Sequence, residues 1–398
     1  MTSKVVIQNF VTAQEAGQIA NAQFQKINLT RKSSTTSQSV FPVKDDLDVP
    51  TMYIVNNEFG GFTIVSADNR TEPILAFSET NNFSTDLKKL PDGVSFWMKN
   101  QSEYIKEVRK ENFKQTLIMQ KVWNKYKKSA VLYNNKGKKN QEKQVFGRGR
   151  VPTSQDWISE GDCNQGGYLT TLTHLIEPLT STTWSQENGY NDLLQYNNCS
   201  SPSNGRYLTG CVATAVAQVM KYHEFPSSYN WNSMFLSSGS YETSRLMSDL
   251  GTSANLYVDY GCATSSADRR LIARTFRNFG YPMPNFSNYD YTVVRDEIAF
   301  GRPVVLCGGT EAEFLIFGQK SGHCWVADGL NEIWFYECVP DPNTPGEQIS
   351  VQISQSNFIH MNWGWDGINN GWYSSGNFNP GNKTYNWRPS MITNIKPQ

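Results

Sequence analysis

Histidine is scarce in this chain, with four residues in 398, so a reaction needing an imidazole must draw on His174, His223, His323 or His360. No apolar run approaches the ~20 residues that cross a bilayer, and no membrane span is expected. The opening MTSKVVIQNF lacks the apolar segment of an export leader, so the chain is read as cytosolic or as starting after a removed leader. Net charge is zero, which gives no reason to expect nucleic acid or an anionic membrane as a partner. The seven cysteines, at 163, 199, 211, 262, 307, 324 and 338, contain no C-x-x-C pair and no Cys/His knuckle. A structural metal is therefore not expected, and nothing implies a cofactor. An odd count leaves at least one free thiol if all the others pair, and a chain of this length needs no bridges for stability.

Large side chains are plentiful instead. Eleven Trp, 19 Tyr and 21 Phe can fill more than one core, and the length suits two or three domains. Residues 1–150 carry 23 Lys/Arg against 14 Asp/Glu, whereas the remainder carries 13 against 22. The basic excess is not a docking face, because residues 125–150 alone hold nine basic groups and one acid, Glu142.

Phe10, Ala13, Gly17, Ala20 and Phe24 recur at helical spacing and predict a short helix within residues 1–30. Three strand-like runs, at 52–55, 61–66 and 73–77, are separated by turn clusters in the manner of an antiparallel meander. A helical pattern returns from Asp92 to about Tyr126, with Val94, Trp97, Ile105, Val108, Ile118 and Val122 near one side. Residues 1–126 therefore read as a small α+β domain with an antiparallel sheet. Residues 127–150 read as an exposed basic linker, too poor in apolar surface to offset its ordering entropy and suited to proteolytic processing. A larger domain fills 151–398.

The chemistry begins at Gly210-Cys211-Val212-Ala213-Thr214-Ala215, which opens a predicted helix over 211–223. Gly210 permits a sharp turn, and Cys211 falls in the first helical turn, where free amides and the macrodipole favour a thiolate. A lone cysteine in such a helix is more often a buried core residue, so the assignment needs partners. His223 sits about three turns along the same helix, roughly 18 Å away, and cannot be the base. His323, in Ser321-Gly322-His323-Cys324-Trp325, heads a strand-like run that turns at Asp328-Gly329. The run Phe358-Ile359-His360-Met361-Asn362-Trp363 delivers an Asn-Trp pair to a Gly-rich turn, where an amide or an indole can orient an imidazole. Gln186, 25 residues before Cys211, can supply one oxyanion donor beside the Cys211 amide.

Taken together, Gln186 with Tyr190-Asn191, GCVATAVAQVMKYHEFP, GHCWVADG and HMNWGWDGINNGW resemble the streptopain family of papain-like cysteine peptidases. The segment GGFTIVSADNRTEPILAFS resembles that family's propeptide. The resemblance implies a papain-like two-lobed peptidase domain of α+β class, held latent by its own prodomain as an intramolecular inhibitor. It implies a Cys211–His323 dyad, Gln186 in the oxyanion hole, and Trp363 shielding and orienting His323, with Asn362 as a neighbouring alternative for that role. It further implies protein and peptide substrates, an apolar residue at the second position before the cleaved bond, and export to the periplasm, cell surface or medium. The chain departs from the family at Cys324, in its six additional cysteines, and in the segment 331–357, which reads as a flap over the cleft. Two other readings use the same residues: amide or acyl transfer on cell-wall peptides, and a non-catalytic binding or inhibitory protein with a structural Cys211.

Overall fold

The computed structural model describes residues 9–27, 38–135, 157–160, 169–309, 322–375 and 390–398. Its first helix, α1 (Ala13–Ile27), starts from a reciprocal cap. The Thr12 hydroxyl accepts from the Glu15 amide at 3.2 Å, while the Glu15 carboxylate accepts from the Thr12 amide at 3.0 Å. The meander follows as β1 (Gln38–Lys44), β2 (Pro50–Asn57), β3 (Phe62–Ser66) and β4 (Ile74–Ser78), every pair antiparallel. The runs expected at 52–55, 61–66 and 73–77 are the last three of these. β1 is an additional edge strand whose Ser39, Pro42 and Lys44 give no alternating signal.

The helical pattern from Asp92 onward is two helices, α2 (Asp92–Lys110) and α3 (Leu117–Asn135). The break falls at Asn112, which adopts φ +50° where asparagine is better tolerated than most side chains. Because α3 runs to Asn135, the first third of the expected linker is helical; its remaining residues, 136–150, lie outside the described residues.

The rest of the chain supplies β5 (Trp157–Glu160), β6 (Leu169–Ile176), α4 (Cys211–His223), α5 (Tyr241–Gly251), α6 (Ile272–Asn278), β7 (Asn285–Asn288) and α7 (Tyr291–Ala299). Five strands complete it: β8 (Val304–Gly309), β9 (Gly322–Pro340), β10 (Gln348–Asn362), β11 (Gly371–Ser374) and β12 (Ser390–Thr393). The helix predicted over 211–223 is α4, residue for residue. Asp328-Gly329 is not a turn, however. β9 continues through it, and the ladder to β10 skips Asp328 as a bulge between Ala327 and Gly329. The segment 331–357 forms the two arms of the β9–β10 hairpin, closed by a turn in which the Asp341 amide donates to Glu347 O.

A single antiparallel sheet crosses the whole molecule in the order β1-β2-β3-β4-β11-β10-β9-β8-β12-β7, with β6 pairing β9 beyond β8 and β5 pairing β6. The N-terminal meander joins the larger part by direct strand pairing, Phe77 opposite Trp372 and Ala76 opposite Tyr373. Three cores form on this sheet. One lies between α2 and the sheet and mixes Ile54, Phe62, Val94 and Met98 with Trp325, Met361, Trp363 and Tyr373. A second packs α4, α5 and α6 on Val305, Cys307, Cys324 and Val326. The third covers the opposite face of the meander with α1 and α3.

Five of the described cysteines are bridged. Cys199 bonds Cys262 and Cys307 bonds Cys324, and Cys338 is bridged as well. Among the described residues Cys211 is the one cysteine outside a disulfide.

Candidate active site

Gly210 turns into α4 at φ +87°, a conformation that a side chain resists, and a Cβ there would meet Ser265 O at 3.0 Å. No side chain caps the helix start, and Cys211 in its first turn is half-buried. Behind it, Val212 to Met220 are all buried, which fixes the helix as a rigid post. Gln186 is tied to this corner through the main chain: the Thr209 amide, two residues before the thiol, donates to Gln186 O at 3.1 Å.

On the other side, His323 is the second residue of β9. Strand alternation puts His323 and Trp325 on the face covered by α2, and Cys324 on the face covered by α4. The imidazole stacks on Trp325, ring centroids 6.0 Å apart and 13° from parallel, and lies 6.4 Å from the Trp363 ring. Its Nε2 sits 2.9 Å from Trp363 O. A carbonyl only accepts, so Nε2 carries the hydrogen there, and in the neutral ring Nδ1 holds the lone pair.

Trp363 is itself held by the turn that follows it. Its amide donates to Asn370 Oδ1 at 2.9 Å and its indole to Asn369 O at 3.1 Å. Asn362 serves another purpose than the one considered for it. Its amide nitrogen donates to Thr182 O at 2.6 Å and to the Thr180 hydroxyl at 3.3 Å, not to His323. The same segment is gripped from α4, where Gln218 Oε1 accepts from the Thr182 hydroxyl at 3.0 Å and the Trp184 amide at 3.3 Å. Asn362 and Gln218 thus suspend the irregular segment that leads to Gln186 between the end of β10 and the Cys211 helix. Gln218 escaped sequence reasoning because its polarity in an apolar helix was its only signal.

The N-terminal unit reaches this site. A Cβ added to Gly93, in the first turn of α2, would lie 2.7 Å from Trp363 Cζ3, 2.9 Å from His323 Cδ2 and 3.0 Å from Trp325 Cε3. The bare backbone of α2 therefore seals the edge of the imidazole. Nearby, the Ser84 amide donates to Asn369 Oδ1 at 3.0 Å and Asn81 donates to Asn370 O at 3.2 Å, so the same unit also grips the turn below Trp363.

The other histidines are engaged elsewhere. His223 is pushed down to about 4 by burial and stays neutral. His174 lies against Glu332 at 3.1 Å and His360 against Asp328 at 2.7 Å.

This arrangement has relatives. Residues 184–237 and 227–373 match the model of the Peptidase C10 family, and residues 8–105 match that of the Spi protease inhibitor. The chain belongs to the streptopain family. It is 25% identical to streptopain of Streptococcus pyogenes over 407 residues, covering 88% of this chain and 82% of that protein. It is also 26% identical to the thiol protease/hemagglutinin PrtT of Porphyromonas gingivalis, covering 93% of this chain but 39% of that longer protein. In fold it resembles a fragment of Prevotella intermedia prointerpain A, with a TM-score of 0.56 at 21% identity, over 91% of this chain and all of that one. As a member of the streptopain family the protein is a cysteine peptidase carrying its own inhibitory propeptide, on a papain-like fold. No helix among the described residues is long and apolar enough to cross a membrane.

Proposed function

We propose that Cys211 is the nucleophile of this peptidase and His323 its base, with Gln186 and the Cys211 amide as the oxyanion hole and Trp363 holding the imidazole. The observation that carries this reading is the corner at Gly210: the one cysteine of the described residues outside a disulfide opens α4 there, with Gln186 bonded to the chain two residues upstream. In the reaction His323 takes the Cys211 proton, and the thiolate adds to a substrate carbonyl. The oxyanion is held by the Gln186 amide and the backbone N–H. The imidazolium then protonates the leaving amine, and water, deprotonated by the same ring, releases the acyl group. The Trp363 carbonyl keeps Nε2 as the donor and so leaves Nδ1 for the thiol.

Latency follows from the same geometry. With α2 against the sheet, His323 is packed against the Trp325 and Trp363 indoles and closed off at its edge by Gly93, on the face away from α4. Removing residues 1–126 frees the ring to reach Cys211, and the mature enzyme is 151–398. Because α3 extends to Asn135, processing is expected after it, within 136–150. Proteins and peptides with an apolar residue at the second position before the scissile bond are the proposed substrates. Export from the cell is supported by the bridged cysteines, which persist in oxidising compartments. Nothing in the site favours acyl transfer on cell-wall peptides or a non-catalytic role.

The test is stoichiometric labelling of Cys211 by a thiol-directed peptidyl epoxide, before and after limited proteolysis, with Cys211→Ala as the control. Slow labelling of the intact chain and fast labelling once the cut prodomain has been removed are expected. Peptide cleavage by Cys211→Ala would refute the assignment.

A further inference from the structure

The disulfide next to His323 does more than close a loop. Cys324 directly follows His323 in β9, and its bonded partner Cys307 stands directly opposite it in β8. Past this pair the ladder runs Gly308 opposite His323 and Gly309 opposite Gly322. Three of those four residues have no side chain, so no cross-strand side-chain pair can hold this end of the strand. Glycine-rich strand ends are where register is weakly specified, and a slip of one residue turns every side chain to the opposite face. For His323 that slip exchanges the face of Trp325 and Trp363 for the face of α4.

We infer that the Cys307–Cys324 bridge is a positioning element for His323, fixing the register of the glycine-flanked strand end that presents the imidazole. The inference rests on His323 being the catalytic base. The bridge is buried, Cys307 being 1% and Cys324 4% exposed, and it belongs to the same core as Val212, Ala215 and Val216 of α4. It therefore references the strand to the helix that opens with Cys211. On the opposite face the imidazole is held by its stack on Trp325 and its bond to Trp363 O. In the intact chain α2 adds a third restraint through Gly93. Processing removes that restraint and leaves the bridge, one residue from His323, in place.

The experiment compares cleaved wild-type enzyme with two bridge-free variants, Cys307→Ala/Cys324→Ala and the better-filled Cys307→Val/Cys324→Val, and with His323→Ala. Each is assayed for kcat, KM and the pH dependence of Cys211 alkylation by iodoacetamide. Both bridge-free variants are expected to lose at least about tenfold in kcat, a displacement of about 1 Å being enough for ~100-fold, with KM within about twofold of wild type. They are also expected to lose the rapid alkylation at low pH that marks a thiolate–imidazolium pair. Wild-type kcat and alkylation profile in either bridge-free variant, including recovery on filling the core with valine alone, would overturn the inference. If the alanine pair does not fold, the valine pair decides. Non-reducing peptide mapping of the wild-type protein decides independently, since free thiols at both positions refute the bridge. Activity retained in His323→Ala refutes the catalytic reading itself, an outcome distinct from failure of the positioning role.

Discussion

A methyl group on Gly93 would stand 2.9 Å from the imidazole of His323, closer than carbon atoms approach without displacement. Gly93 lies in a helix with ordinary backbone angles, so the restriction on its side chain comes from the peptidase surface rather than from its own conformation. Gly93→Ala is expected to leave the prodomain folded and to loosen its seat. Overpacking of this kind costs roughly 1–3 kcal/mol. The intact chain should then show roughly five- to a hundredfold more residual activity on a small peptide substrate, measured before any processing occurs. Residual activity equal to wild type would remove Gly93 from the account of latency.

Asn362 and Gln218 act on the oxyanion side rather than on the imidazole. Asn362→Ala leaves Thr182 O without its 2.6 Å donor, and Gln218→Leu removes the acceptor shared by Thr182 and Trp184. Each is expected to destabilise the cleaved enzyme by about 1–3 kcal/mol, the usual cost of a buried group left unpaired. Each should also lower kcat through Gln186. Combining either with Gln186→Ala should give far less than the sum of the separate losses, because all act on one donor. Full additivity in that cycle, read from kcat, would contradict the linkage.

Much of this was legible in the residues, and the portion that was not has a physical reason. The α4 boundaries, the Gly210 turn and the β2–β4 meander are local events, set by a glycine, by apolar period and by turn clusters. The union of the meander with β11 is a long-range pairing that no local pattern announces. The polar outer arm of β10 reads as a loop because Gln348 to Gln352 are all exposed, so its pairing with β9, not burial, makes it strand. The Asn362 amide bonds Thr182 rather than the imidazole because adjacency in sequence to Trp363 says nothing of direction: neighbouring residues of a strand point to opposite faces. The pairing of Cys307 with Cys324 needed the register of β8 against β9.

Docking of the prodomain is expected to depend on pH through Glu72. Burial raises its carboxyl to about 7, partly offset by the Ser356 hydroxyl, which donates to it from β10 at 2.9 Å. Because the docked value lies above the ordinary 4.5, docking holds its full strength below pH 4.5 and weakens as pH rises toward 7. The difference amounts to at most about 3 kcal/mol. In a nicked complex carrying Cys211→Ala, dissociation measured by surface plasmon resonance should be faster at pH 8 than at pH 5.5. Glu72→Gln should flatten that dependence. A pH-independent rate in the parent complex would exclude Glu72 as its source.

The Cys199–Cys262 bridge spans 63 residues and secures the segment that carries Ser265 against Gly210. Chain-entropy arguments put its worth at about 4 kcal/mol. Replacing both cysteines with alanine should lower the denaturant midpoint of the cleaved enzyme correspondingly. An unchanged midpoint would show that the unfolded chain gains nothing from losing this crosslink.

The shared ladder between Ala76 and Tyr373 has a consequence for how the enzyme is switched on. Hydrolysing the tether leaves the pairing of β4 with β11 in place, so scission alone is expected to yield a two-piece, still silent particle. Escape of the inhibitor is a separate event that must unzip two strands and open a dry interface. The lag between those events, rather than the cut, sets the timing of proteolysis, and a second protease that digests the detached piece would act as the true trigger.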